Sequence, residues 1–188
     1  MPMPRLIRHG RFRAALILAP LVLAATALAA HRWPGPGLQE AALAWRQEAW
    51  RMPLDNWGEG HAWRAKLPDG GEITLHARAK TGFCNCFNGV ADDTEIDLIG
   101  DVDLHGSAFA PVAPGAVTMV GDLHGRKRSF EAHGKWSGTQ RVLSIVAAAD
   151  CKAVVATLVA HGPISAAAEA SAVALLTGEA FRRWARDQ

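Results

Sequence analysis

The sequence predicts an α+β fold: a mainly antiparallel sheet with an N-terminal amphipathic helix and a C-terminal helix. Three observations support this prediction. Apolar residues recur at helical spacing in 38–52, stretches rich in valine, isoleucine and threonine follow between 61 and 162, and an alanine-rich segment begins at Ser165. Helices at the two ends of the domain are expected to cover one face of the sheet.

The first thirty residues have the composition of an export segment. Arg5, Arg8, Arg11 and Arg13 precede an uncharged apolar run over 14–30 that contains an Ala-Leu-Ala site. This pattern is typical of a secretory signal peptide, although the run also approaches the length of a single-span membrane anchor. The apolar residues that define the segment include Ala14, Leu16, Leu18, Leu21, Leu23 and Leu28. In both cases the basic end stays in the cytoplasm, so we expect the domain in the periplasm, or on the inner membrane facing the periplasm, of a bacterial-type envelope.

For the rest of the chain, the sequence predicts a linker and one domain. The sequence WPGPG makes 31–37 a Pro/Gly linker, and 38–188 is long enough to form a single α+β envelope domain with its own core. Four of the 20 basic residues lie in the export segment, which leaves 16 against 18 acidic residues. The cluster at Arg126, Lys127 and Arg128 is interpreted as a solvated hairpin tip. The sequence therefore predicts no nucleic-acid partner.

The N-terminal helix is predicted over 38–52. Its apolar face consists of residues three and four positions apart: Leu38, Ala42, Trp45, Ala49 and Met52. Pro53 ends the helix because proline lacks the backbone N–H that would continue it. Trp45 is expected in the core, with a position in the lipid interface as the alternative.

Two hairpins and a strand pair are predicted to form the sheet. The first hairpin covers 61–82 with a Pro-Asp-Gly-Gly turn, and the second covers 116–136 with its tip at 124–126. Two further strands in 141–162 are separated near Asp150. The C-terminal helix begins after Ser165, a residue type that caps helices, and breaks at Thr177 and Gly178.

A short helix is predicted between the two hairpins. Asp92 and Asp93 lie at its N-terminus, where carboxylates are favourable, and Gly100 ends it. Asp101 and Asp103 follow directly, and we expect them to point outward from the start of a strand.

The three cysteines are the main candidates for chemistry. In an exported protein, Cys84, Cys86 and Cys151 would meet an oxidising compartment in which disulfides persist. We expect one bond between Cys151 and either Cys84 or Cys86. Such a bond closes a loop of roughly 65 residues and stabilises the fold by about 3 to 5 kcal/mol.

A metal-thiolate site or a redox-active thiol is the alternative. Zinc or copper could be bound by Cys84, Cys86, Cys151 and a histidine, with His105 as the candidate. The other histidines that could complete such a site are His76, His124, His133 and His161. The C-x-C spacing is shorter than that of most structural zinc sites, and the acidic residues that follow would raise the pKa of a thiol.

The sequence contains none of the common catalytic motifs, such as G-x-S-x-G, H-E-x-x-H, a Walker loop or a haem-attachment site. We therefore expect an exported or membrane-anchored envelope protein whose domain acts by binding, without catalysis and without a cofactor. Its partner would be an envelope protein or a ligand, together with the inner membrane if the export segment is retained. The alternative is a metal-thiolate or thiol-redox protein.

Overall fold

The computed structural model describes residues 42–53, 55–82, 90–134, 138–149 and 151–179, as well as 181 and 183. This part of the chain contains eight strands, two α-helices and one 3-10 helix. The elements are β1 (Arg46–Glu48), β2 (His61–Lys66), β3 (Glu72–Thr81), α1 (Asp93–Ile99), the 3-10 helix (Val102–His105), β4 (Ala108–Pro111), β5 (Ala116–Val120), β6 (Leu123–Gly134), β7 (Gly138–Ala149), β8 (Lys152–Ala160) and α2 (Ala166–Leu176).

All eight strands belong to one antiparallel sheet. The strand order is β1-β2-β3-β8-β7-β6-β4, and β5 pairs with β6 on the same side as β4. β4 pairs with residues 130–133 of β6, whereas β5 pairs with residues 123–127. The contact between β3 and β8 joins two parts of the chain that are far apart in sequence, and it decides which side chains meet on each face.

One face of the sheet, here called the α2 face, carries the larger hydrophobic core. Leu75, Leu158 and Leu143 lie opposite one another on β3, β8 and β7 and are almost fully buried. α2 covers them with buried residues that include Ala172 and Leu176. Because side chains alternate along a strand, the neighbouring residues of each strand point to the opposite face.

That opposite face, the α1 face, is covered by α1 and the 3-10 helix. Ile96 and Ile99 of α1 pack on apolar residues of β7 and β8, and Val102 of the 3-10 helix packs near Phe130 of β6. A row of polar residues also lies on this face, because His76, Thr157 and Ser144 occupy matching positions of β3, β8 and β7. The polar groups that the sequence buries are therefore concentrated under α1 and the 3-10 helix.

The predicted N-terminal helix is wrong, and with it the α+β fold class. The described part of the predicted helix, 42–52, contains β1 and no helix. The described part of the chain is mostly antiparallel sheet, with two short α-helices of seven and eleven residues. The predicted antiparallel sheet and C-terminal helix are present.

Tertiary contacts explain why residues 43–48 are extended. The backbone N–H of Leu43 and the indole N–H of Trp45 both donate to the hydroxyl of Ser171 on α2, each at 3.0 Å. Leu43 and Trp45 also pack against the core of the α2 face. Two residues two positions apart reach the same surface only from an extended chain, so the pairing with β2 and α2 overrides the helical spacing.

Several local predictions are confirmed. The first hairpin is β2–β3, with Leu67 and Gly71 hydrogen-bonded across its turn at 2.8 Å. Asp92 caps α1 by accepting from the N–H of Glu95 at 2.9 Å. Ser165 caps α2 by accepting from the N–H of Ala168 at 3.1 Å, and Thr177 lies at the end of the helix. The strand pair near Asp150 is β7–β8.

The second hairpin turns earlier than predicted, so the predicted tip at 124–126 is wrong. Gly121 and Asp122 join β5 to β6, and Gly121 has φ 65°, a conformation that glycine tolerates. The cluster of basic residues that follows therefore lies within β6. Arg126 and Arg128 form ion pairs with Asp93 and Asp97 of α1 on one face, whereas Lys127 pairs with Glu169 of α2 on the other.

The predicted export segment, 1–30, and the linker, 31–37, lie outside the described residues. Among the helices of the described part, none is long and apolar enough to cross a membrane.

Candidate functional site: a buried ion-pair cluster

Two cations of β3 are buried on the α1 face. Arg78 and Lys80 are two residues apart, so their side chains leave the strand on the same side. Arg78 is 1% exposed and Lys80 is 5% exposed. Charges removed from water to this degree are stable only when they have ionic and hydrogen-bonding partners.

Asp101 supplies the inner partner. This residue directly precedes the 3-10 helix and is 5% exposed. Arg78 donates to both of its carboxylate oxygens, through Nε and Nη2, at 2.7 Å each. The ammonium of Lys80 lies 2.7 Å from Oδ1 of the same carboxylate and donates to the carbonyl of Ile99 at 2.8 Å. One buried carboxylate therefore lies between two buried cations.

Asp55 supplies the outer partner from a loop between β1 and β2. Arg78 donates to Oδ1 of Asp55 at 2.6 Å and to Oδ2 at 2.7 Å, so the second carboxylate is also bound by two hydrogen bonds. The side chain of Asp55 is 37% exposed, in contrast to that of Asp101. The ion-pair cluster of Asp55, Arg78, Lys80 and Asp101 is neutral as a whole, with one of its carboxylates at the surface.

The loop that carries Asp55 is folded over the cluster. The backbone N–H of Trp57 donates to Oδ1 of Asp55 at 2.8 Å, and the N–H of Gly58 donates to the Asp55 carbonyl at 3.2 Å. Gly58 has φ 73°, which favours glycine. The Trp57 ring lies 5.7 Å from the ammonium of Lys80, within the range of a cation–π contact.

Hydrogen bonds and charge shift the pKa values of this cluster. The hydrogen bond from Arg78 lowers the pKa of Asp55 below its usual range, against the opposing effect of burial. Burial acts to lower the pKa of Arg78, but the hydrogen bonds and charges of Asp101 and Asp55 outweigh it, so the pKa is raised. Both groups are therefore charged at neutral pH.

A histidine pair lies beside the cluster on the same face. The rings of His76 on β3 and His105 on the 3-10 helix are 5.2 Å apart between centroids. His105 Nε2 is hydrogen-bonded to the hydroxyl of Thr157 at 2.7 Å, and the ring of Trp50 meets His76 edge-on at 5.8 Å. Nδ1 of His76 is buried without a hydrogen-bond partner among the described residues.

Burial also shifts the pKa values of the two histidines. It lowers the pKa of His76 to about 4. Burial, assisted by the nearby His76, lowers the pKa of His105 to about 3.

The pairing of His105 with Thr157 has the spacing of a general base and a hydroxyl nucleophile. Thr157 is only 1% exposed, so its hydroxyl is inaccessible to a substrate. The histidine pair is therefore better explained as part of the packing.

The ion-pair cluster, in contrast, has the chemistry to bind carboxylates, because the planar guanidinium of Arg78 presents paired N–H donors.

A surface depression lies elsewhere. It has a volume of about 330 Å³ and is lined by Ala44, Arg46, Arg64, Ala65, Lys66 and Glu72, at the β1–β2 edge. Arg64 pairs there with Glu48 at 3.1 Å and with Glu72 at 2.9 Å, and all three side chains are partly exposed. Ion pairs between partly exposed side chains contribute little to stability, whereas the charges of the cluster are almost fully buried, so the cluster is the stronger candidate site.

The cysteines predicted as site residues are only partly described. Cys84 and Cys86 lie outside the described residues, whereas Cys151 forms the turn before β8 with φ 64°. His105 contacts Thr157, which is six positions from Cys151 along an extended strand, a distance of roughly 20 Å. The structure therefore does not bring His105 to Cys151. In the described ranges, no group of three or more histidine, cysteine or acidic side chains is arranged to hold a metal ion.

The sequence predictions did not identify the cluster. Asp101 was expected to point outward from a strand, which is wrong, because it precedes a 3-10 helix and is buried. Asp103 is exposed, but it also lies in that helix. One available signal was the alternation of Arg78 and Lys80 with Ala77 and Ala79 in a strand that pairs on both sides. Two cations on one face of such a strand require a buried anion.

No protein-family model matches the chain, and no curated protein sequence matches it.

Proposed function

We propose that this chain is an exported or membrane-anchored cell-envelope protein whose domain acts by binding and is stapled by one disulfide between Cys151 and either Cys84 or Cys86. The observation that carries the proposal is the position of Cys151. The backbone N–H of Gly82, just after β3, donates to the carbonyl of Cys151 at 3.1 Å.

This contact places Cys151 beside Gly82, which precedes the other two cysteines in the sequence. Cys84 is two residues and Cys86 four residues beyond Gly82, so extended backbone would carry them at most about 7 Å and about 14 Å away. A disulfide requires a distance of about 4.4 to 6.8 Å between the two Cα atoms. Both cysteines are within reach, and the proposed bond would join the end of β3 to the β7–β8 turn.

The backbone of Cys151 supports the same proposal. Its φ of 64° lies in the left-handed region, which residues other than glycine, asparagine and aspartate seldom adopt. A cysteine in this position is explained if its sulfur has a bonding role that outweighs the cost of the conformation. A structural disulfide persists only in an oxidising compartment, and the predicted export segment would deliver the chain to one.

The ion pairing and low accessibility of the buried polar groups favour binding over catalysis. In the described part of the chain, Arg78 and Lys80 are neutralised by Asp101 and Asp55, and the cluster is held in place by hydrogen bonds. The nearest hydroxyl with a histidine partner, that of Thr157, is inaccessible. The arrangement is suited to holding a carboxylate, and no group in it is placed to attack a substrate.

The test is the intact mass of the full chain purified from the envelope of expressing cells and denatured in excess alkylating agent without reductant. We expect loss of about 29 residues if the signal is cleaved and full length if it is retained, with one alkyl adduct in either case. Prior reduction should raise the count to three. A chain found in the cytoplasm, or three adducts without reduction, would contradict the proposal.

Single serine variants of the three cysteines serve as matched controls. The Cys151→Ser variant should carry two adducts without reductant, because both remaining thiols are unpaired. Of Cys84→Ser and Cys86→Ser, the variant that removes the unpaired cysteine should carry none. Three adducts in the wild-type protein, with metal that is lost in all three variants, would instead favour the metal-thiolate protein.

A further inference from the structure

On its outer side, the ion-pair cluster is completed by Asp55. Arg78 and Lys80 carry two positive charges, and only one of the compensating carboxylates, Asp101, belongs to the buried interior. Without Asp55, the group behind the loop would have a net charge of +1. A buried positive site of this kind attracts an anion from solvent.

Asp55 binds as a carboxylate ligand would. It meets the guanidinium in a two-point contact, at 2.6 and 2.7 Å, which is the geometry in which arginine recognises free carboxylates. Its side chain is 37% exposed, and it is attached to a turn rather than to a strand of the sheet. Arg78 also donates to the carbonyl of Gly58 in the same turn at 3.4 Å, and its two bonds to Asp101 are made on the buried side. Removal of Asp55 would therefore leave the guanidinium fixed by Asp101.

The geometry points to a carboxylate-binding site at Arg78, backed by Asp101 and Lys80, in which Asp55 is an internal ligand that an external carboxylate displaces. This inference deepens the proposed binding function by naming the chemical class of the ligand. The ligand is the carboxylate of a small organic acid or of a peptide C-terminus.

The internal ligand sets the affinity of the site. An external carboxylate must compete with a group that is already tethered beside Arg78, so binding to the wild-type protein is weak. Displacement would also free the turn of Trp57 and Gly58, since Asp55 accepts the Trp57 N–H. The indole signal of Trp57 should therefore respond together with the guanidinium signal of Arg78.

The experiment is a titration of the folded wild-type protein and the Asp55→Asn variant with sodium formate, followed by NMR at the Arg78 Nε–H and the Trp57 indole. The amide side chain of the variant keeps an oxygen for the Trp57 N–H but removes the competing charge. We expect saturable shifts in both proteins and at least about tenfold tighter binding to the variant. Sodium chloride at the same ionic strength should not produce these shifts.

Asp97→Asn is the matched control. Asp97 is also 37% exposed and also binds an arginine, Arg128, at 2.6 Å, but outside the cluster. This variant should bind formate like the wild-type protein. The inference is overturned if the Asp55→Asn variant shows no saturable shift, or if Asp97→Asn tightens binding equally. If the Asp55→Asn variant does not fold, the wild-type titration decides: a saturable Arg78 shift supports the site and its absence overturns it.

A second arm distinguishes the two sources of the carboxylate. A short neutral peptide with a free C-terminus is compared with the same peptide amidated, and acetate is titrated in parallel. Binding of acetate alone indicates a small organic acid, whereas tighter binding of the free peptide indicates a chain terminus. These titrations use purified protein and do not depend on its compartment or its disulfide, so this inference and the proposed function can fail independently.

Discussion

At the scale of single residues, burial decides what each polar group does in this protein. Asp101 and Asp55 are both aspartates bound to Arg78, yet one is buried with two cations and the other is partly solvated. Removing Asp101 would leave two buried cations without the carboxylate between them, whereas removing Asp55 would leave Arg78 bound to Asp101 and open its outer side to water and solvent anions. The two aspartates should therefore differ in their effects on stability.

The Asp101→Asn variant should lose about 3 to 5 kcal/mol of unfolding free energy, because Arg78 and Lys80 would keep their charges without the carboxylate between them. Urea denaturation of the purified protein measures this loss. Asp97→Asn, which removes a partly exposed partner of Arg128, should cost less than about 1 kcal/mol. Equal losses in the two variants would show that the burial of Asp101 makes no difference to its contribution.

The histidine pair should make the fold sensitive to acid. The unfolded chain protonates histidines near pH 6.5, but in the folded state the pKa of His76 is about 4 and that of His105 about 3. Stability is therefore complete above pH 6.5 and is lost as the pH falls toward these lower values. At about pH 5 each histidine should cost roughly 2 kcal/mol relative to neutral pH.

Urea denaturation at about pH 7 and at about pH 5 measures this dependence. Three charged groups near the pair also affect the histidine pKa values. Asp101 favours protonation of both rings, whereas Glu48 favours and Arg64 opposes protonation of His76. The His105→Asn variant should lose about half of the pH dependence. The His133→Gln variant changes an exposed histidine and should behave like the wild-type protein. A wild-type protein equally stable at both pH values would refute the prediction.

At the scale of elements, the N-terminal segment shows how a side-chain contact selects a strand. The hydroxyl of Ser171 on α2 accepts from both Leu43 and Trp45, and these bonds hold the chain extended as it enters β1. An isolated helix of similar length is marginal in water, so a few tertiary contacts are sufficient to exclude it.

The Ser171→Ala variant should lose about 1 to 3 kcal/mol of unfolding free energy, because two partly buried N–H groups lose their acceptor. Alanine is the better helix former, so without these bonds the same substitution in α2 would be neutral or slightly stabilising. Thermal and urea denaturation show whether the variant is less stable than the wild-type protein, as expected, or equally or more stable. Ser107→Ala, at an exposed position outside the helices, should change stability by less than about 0.5 kcal/mol.

At the scale of the whole molecule, the contact between β3 and β8 organises both faces of the sheet. It aligns Leu75 with Leu158 on the α2 face and His76 with Thr157 on the α1 face. The two strands are separated by a long stretch of sequence, so joining them has a large entropic cost in the unfolded chain. A covalent link at the end of this pair, where Gly82 meets Cys151, would reduce that cost.

The Cys151→Ser variant should therefore lose about 4 kcal/mol, the value expected for a loop of roughly 65 residues. Reductant should destabilise the wild-type protein by a similar amount and leave the variant unchanged. Thermal unfolding with and without dithiothreitol measures both effects. If reductant lowers the melting temperature of the wild-type protein and of the variant equally, Cys151 is not part of the bond.

The sequence by itself determined the features whose causes lie within a few residues. The turn of the first hairpin, the caps at Asp92 and Ser165 and the apolar strands are encoded by neighbouring residues with strong conformational preferences. Only the tertiary structure decided that 46–48 is a strand and that Arg78 meets Asp101, 23 residues away. Those outcomes depend on which elements become neighbours, and long-range contacts that exclude water can outweigh local propensities of a few tenths of a kcal/mol.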